Sequence, residues 1–148
     1  MKIVVATDGS RGGKAAVRFA ARLAARDSAA RLVLITIAAP GKGSKTHSAA
    51  PVLADGILSN AAAMVKSLGV AGRCELRALR TRREIPEAIA SLADRVRADL
   101  VVVGSEGRDT LDEWVVGGVA LRLIYVARRP VLVVRPARKR TALRHRAA

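Results

Sequence analysis

Five short apolar runs alternate with longer segments whose apolar residues recur at helical spacing. The runs Lys2–Thr7 (KIVVAT), Arg31–Ala38 (RLVLITIA), Arg73–Leu79, Asp99–Val103 and Val131–Val134 are short and rich in β-branched residues, and they read as strands. Between the first two, Ala16, Phe19, Ala20, Leu23 and Ala24 form one stripe of a helix over Arg11–Ala25. Lys14, Arg18, Arg22 and Arg26 are offset from that stripe. A second helix is expected from about Val52 to Leu68, closed by Gly69. A third spans Glu84–Arg97, with Ile85, Ile89, Leu92, Ala93 and Val96 on one face and Pro86 in its first turn. Gly117–Arg128 reads as a fourth. Ala39–Ala50, rich in Gly, Ser, Lys and Pro, reads as a flexible loop.

Strands separated by helices of this length cannot pair as hairpins. They predict an α/β fold: an open, mostly parallel five-stranded sheet with helices on both faces and right-handed crossovers. Ligands of such sheets bind outside the carboxyl ends of the strands, near the point where strand order reverses. Asp8, the loop after Ala38 and the loop after Gly104 all fall at such ends.

Composition agrees with one domain over residues 1–135, followed by a basic tail, 136–148 (PARKRTALRHRAA), expected to be disordered. Hydrophobic residues make up 51% of the chain, but its aromatics are only Phe19, Trp114 and Tyr125. The core must therefore be Val, Leu, Ile and Ala, which suits a buried parallel sheet. With 27 Lys and Arg against 12 Asp and Glu, the formal net charge is +15. Such a charge attracts polyanions. The basic residues are scattered, however, and base-stacking aromatics are scarce, so nucleic-acid binding is the lesser expectation. Cys74 is the lone cysteine and reads as a small buried residue. The opening MKIVVATDG lacks a signal-peptide pattern, and no apolar run approaches the ~18 residues of a membrane span. A cytoplasmic location is the expectation.

Two glycine clusters carry the candidate chemistry. Gly9-Ser10-Arg11-Gly12-Gly13-Lys14 follows a strand but fails as a phosphate loop of the Walker type. Three residues separate Gly9 from Gly13-Lys14 where four are needed, and Ala15 supplies no hydroxyl for magnesium. A glycine turn with Ser10 as helix N-cap is the better account. Asp8 has two readings: a carboxylate for a ribose hydroxyl or metal, or an Asx-turn residue. The second cluster, Gly104-x2-Gly107-x9-Gly117-Gly118, is the stronger signal. Its glycines let backbone amides approach an anion at a helix N-terminus, or else serve a tight loop and close helix packing. His47 falls in the flexible loop and His145 in the tail. No Ser-His-Asp or Cys-His arrangement is legible, so efficient hydrolysis is not expected.

VVATDGS at the first strand, and the stretch VVVGSEGRDTLDEWVVGGVALRLIYVARRPVLVV, resemble the universal stress protein family across the whole domain. The resemblance implies an adenine-nucleotide alpha-hydrolase-like, Rossmann-like fold binding ATP, with or without Mg2+. Nucleotide contacts are then expected at Thr7, Asp8, Ile37, Gly104, Gly107, Arg108, Gly117, Gly118 and Val119. The family's ATP-binding members carry Ser or Thr where this chain has Gly118, so a hydroxyl donor to the phosphates is missing. Asp109, Asp112 and Glu113 add negative charge to the same loop. The resemblance also implies a homodimer through antiparallel pairing of the last strand, Val131–Val134, which as a bare apolar edge would need cover. Three functions follow. One is a nucleotide-binding stress regulator with slow or no hydrolysis. Another is a family member that has lost nucleotide and acts as a module for an unknown protein partner. The third is polyanion binding through Arg80, Arg82, Arg83 and the tail residues Arg138, Lys139, Arg140, Arg144 and Arg146.

Overall fold

In this computed structural model, residues 1–37, 49–80, 84–106 and 116–137 are described, with backbone alone for 49–52. Within them, strands and helices alternate as β1 (Lys2–Ala6), α1 (Arg11–Ala25), β2 (Arg31–Ile37), α2 (Ala49–Ser67), β3 (Cys74–Leu79), α3 (Ile85–Arg95), β4 (Leu100–Gly104), α4 (Gly118–Val126) and β5 (Val131–Val134). The five strands form one sheet in the order β3-β2-β1-β4-β5. Every pairing is parallel.

Alternate side chains of the central strands feed two cores. Ile3 and Val5 of β1, Leu32 and Leu34 of β2 and Val102 of β4 pack with the small-residue stripe Ala16, Val17, Ala20, Ala21 and Ala24 of α1 and with Leu58, Ala61 and Val65 of α2. Val4, Val33, Ile35, Val101 and Val103 point the other way, onto Ile89, Leu92 and Ala93 of α3 and Ala120 and Leu123 of α4. Ile3, Val4 and Val5 are wholly buried, which is why β1 reads as an unbroken apolar run. Each such side chain stabilises the fold by about 1.5–3 kcal/mol relative to exposure. Alanines on α1 let that helix lie close to the sheet, so Phe19 is left outside, 42% exposed.

Element ends depart from expectation where local chemistry overrides the pattern. Ala71–Arg73 forms a 3-10 turn, so β3 begins at Cys74. The Arg73 guanidinium donates from one nitrogen to the carbonyls of Ala24, Asp27 and Ala30, closing the carboxyl end of α1. Helix α2 begins at Ala49, which puts Pro51 in its first turn, where a missing N–H costs nothing. Helix α4 stops at Val126 because Ala127 turns extended (φ −75°, ψ 136°). Helix α3 is shorter than its pattern at both ends, running from Ile85 to Arg95.

Candidate functional site

Connections from β1 lead to one side of the sheet and the crossover from β3 returns to the other, so the switch point lies between β1 and β4. The carboxyl ends of these neighbours bring together Thr7 to Ser10 and Gly104 to Glu106. The buried polar side chains among the described residues are Thr7, Thr36 and Ser105, and all three sit at this edge.

The turn after β1 is tied by its own side chains. Thr7 donates its amide to Ile35 O at 2.9 Å, and its Oγ1 accepts from Gly9 N–H at 3.2 Å. Gly9 has φ 78°, a left-handed conformation that glycine takes without strain. The Asp8 carboxylate accepts from Ser10 N–H at 2.9 Å, an Asx turn. Ser10 is the N-cap of α1, its Oγ accepting from Gly13 N–H at 3.1 Å. Its hydroxyl also donates to Glu106 O at 3.3 Å. The Arg11 guanidinium stands 3.7 Å from the Glu106 carboxylate, so the start of α1 is closed by the loop that follows β4.

This closure explains two glycines. A Cβ on Gly12 would run into the Glu106 carbonyl, and one on Gly104 into the backbone of Gly12. Helix α1 and the end of β4 therefore approach backbone to backbone. A Cβ on Gly13 would stand 2.6 Å from Thr7 Oγ1 and 2.9 Å from Asp8 Oδ1. The glycines after β1 thus serve packing, in agreement with the failed Walker spacing.

Helix α4 begins differently. Gly117 is its N-cap, and no side chain among the described residues caps it. Gly117 N–H donates to Ser105 O at 2.6 Å, holding the helix start against β4, and Leu121 N–H returns to Gly117 O at 3.0 Å. The amides of Gly118, Val119 and Ala120 precede the first intrahelical bond, where a helix carries partial positive charge. A Cβ on Gly118 meets nothing within 4 Å, so the missing hydroxyl is not a steric necessity. Of the two helix starts at the switch point, α1 is sealed by its cap and by Glu106, whereas α4 has no side-chain cap among the described residues.

The structure thus brings Thr7, Asp8, Gly104, Gly117, Gly118 and Val119 to one edge, with Ile37 at the half-buried end of β2, the neighbour of β1. Gly107, Arg108, the acidic Asp109, Asp112 and Glu113, Trp114, His47, Arg82, Arg83 and the tail residues from Arg138 onward lie outside the described residues. Sequence reasoning missed Thr36 and Ser105 as buried edge residues, and the coupling of Gly12 to Gly104. A polar residue at the end of an apolar strand run is the signal that marks the first two.

The model of the universal stress protein family matches residues 1–135. The chain belongs to that family. A universal stress protein solved in complex with cAMP is 28% identical, with a TM-score of 0.72 over 93% of this chain and 98% of that one. The universal stress protein from Archaeoglobus fulgidus is 30% identical, with a TM-score of 0.75 over 90% of this chain and 97% of its own. The same Archaeoglobus fulgidus protein in complex with dAMP gives 30% identity and a TM-score of 0.73, covering 90% and 96%. No curated protein matches the chain.

Proposed function

We propose that this chain is a nucleotide-binding stress regulator. It takes an adenine nucleotide, ATP in the first instance, at the carboxyl edge of β1 and β4. The observation that carries the reading is the uncapped start of α4 at the switch point, whose Gly118 and Val119 amides suit a phosphate. Relatives 28–30% identical that bind cAMP and dAMP support an adenine ligand. Asp8, at the end of β1, is the candidate for the ribose hydroxyls, with Ile37 beside the base; Thr7, Gly104, Gly107 and Arg108 complete the predicted contacts. Among the described residues no group of three His, Cys, Asp or Glu side chains is placed to hold a metal. Mg2+ in this proposal enters on the phosphates. Turnover is slow or absent, so the nucleotide acts through conformation and a partner.

A homodimer belongs to the same proposal. Strand β5 is an edge strand, half-buried along its length, and beside it α4 exposes Leu121, Ile124 and Tyr125, the last to 81%. Pairing two β5 strands antiparallel would satisfy the edge and cover apolar surface.

The competing reading, a module that no longer binds nucleotide, is favoured by Gly118 and by the acidic residues Asp109, Asp112 and Glu113 of the preceding segment. Titration with Mg-ATP, followed by the fluorescence of the single tryptophan, Trp114, separates the two. Saturable change in the micromolar range supports the regulator. No response at millimolar ATP, ADP or AMP supports the module.

A further inference from the structure

At the opposite edge of the sheet, the amino ends of β1, β2 and β3 and the carboxyl end of α3 enclose a cleft of about 520 Å3. A strand rises about 3.3 Å per residue, so this edge lies roughly 16 Å from the switch point across a five-residue strand. Its cationic lining is Lys2, Arg31, Arg73, Arg77, Arg95 and Arg97, against one carboxylate, Glu75. Some of these cations have structural work. Arg73 closes the end of α1, and Lys2 Nζ donates to Val96 O at 2.9 Å, closing the end of α3. Arg77 donates to Glu75 at 2.6 Å, which holds the Glu75 carboxyl below its ordinary value. The neighbouring acids are engaged as well: Asp94 accepts from Arg129 and Asp99 from the Lys2 amide. Burial pushes the Cys74 thiol up to about 11, so it adds no negative charge at neutral pH.

Three guanidinium groups remain. Arg95 reaches only the Ser91 hydroxyl, at 3.3 Å, and Arg31 and Arg97 make no side-chain hydrogen bond or ion pair among the described residues. Among the described residues, Arg97 is also the non-glycine residue with positive φ, at 54°. It occupies the C′ position of a Schellman end on α3, with Ala98 N–H donating to Ala93 O and Arg97 N–H to Asp94 O. Helix α2 ends in the same motif, with Val70 N–H on Val65 O and Gly69 N–H on Lys66 O, and there the left-handed position is glycine (φ 75°). An exposed arginine without a side-chain partner among the described residues is therefore held where glycine is favoured, and its side chain lines the cleft.

We propose that this amino-edge cleft is a second anion site, taking a compact ligand with adjacent phosphate groups through Arg31, Arg95 and Arg97. Guanidinium forks match phosphate oxygens in pairs. A net five positive charges in one cleft call for dense negative charge, which adjacent phosphates carry and the separate flexible carboxylates of a peptide do not. No aromatic lines the cleft, so stacked bases of a single strand have no platform there.

The test is titration of the full chain with tripolyphosphate, and in parallel with inositol hexakisphosphate, near 0.15 M salt, followed by backbone amide NMR. The expected result is saturable shifts at Arg31–Val33, Gly72–Cys74 and Val96–Arg97. The tighter of the two probes tells an inorganic chain from an organic polyphosphate. Arg97→Gly should melt at the same or a higher temperature and bind at least tenfold more weakly, and Arg31→Ala should weaken binding without altering the fold. Three results would overturn the proposal: no shifts at millimolar probe, shifts confined to Asp8–Ser10 and Gly117–Val119, or undiminished binding by Arg97→Gly. A single-stranded oligonucleotide that binds this edge where both phosphate probes fail would overturn it too.

Discussion

Gly118 and Gly104 are the same residue type under opposite constraints. A Cβ on Gly118 meets open space, whereas one on Gly104 meets the Gly12 backbone. Gly118→Ser is therefore expected to fold normally and to place a hydroxyl beside the α4 amides. A hydrogen bond to a charged group contributes about 1.5–3 kcal/mol, so ATP should bind about tenfold or more tightly, read by calorimetry. Equal affinity in both proteins would mean that no phosphate reaches this helix start. Gly104→Ala should instead destabilise by about 1–3 kcal/mol through overpacking, seen as a lower denaturation midpoint. An unshifted midpoint would show that α1 can withdraw freely. Cys74 gives a third residue-scale prediction. With its thiol at about 11, its alkylation by iodoacetamide should stay slow at pH 8 and keep rising past pH 10. A rate levelling off near pH 9 would contradict that burial.

At the scale of elements, edge strand β5 carries the main prediction. The protein should run as a dimer in size-exclusion chromatography with light scattering. A charge at Val133 should yield monomers or aggregates, because a half-buried edge strand tolerates no unpaired charge against a second copy. An unchanged dimer would place the interface elsewhere. The elements also show what a sequence reveals. Helix α1 has its predicted bounds because Ser10 and the apolar stripe mark its start and face, and β5 because Pro130 and Arg135 bracket an uninterrupted run. The start of β3 was illegible for a physical reason. Arg73 fits a strand by pattern, but its guanidinium is recruited by three carbonyls of the distant α1 end, which forces a turn. The α1–β4 approach through Gly12 and Gly104 is equally invisible along the chain, since each glycine reads locally as turn chemistry.

For the whole molecule, two edges of one parallel sheet carry different chemistry. The carboxyl edge offers an uncapped helix start and small residues; the amino edge offers arginines beyond those needed to close helices. Alternation of strands and helices made the sheet legible, and with it the switch point between β1 and β4, whose carboxyl ends lead into Asp8 and Ser105. The amino-edge cleft was not legible, because Lys2, Arg31, Arg73 and Arg97 read singly as solvated charge until the crossovers bring them together. The universal stress protein fold supplies the frame, and its carboxyl edge is where we propose that an adenine nucleotide binds. The most direct measurement is calorimetric titration of ATP, AMP and cAMP into nucleotide-stripped protein. Saturable binding of at least one of them at one site per chain, weakened by a bulky substitution at Val119, is the predicted result. The absence of heat for all three at millimolar concentration would contradict the claim.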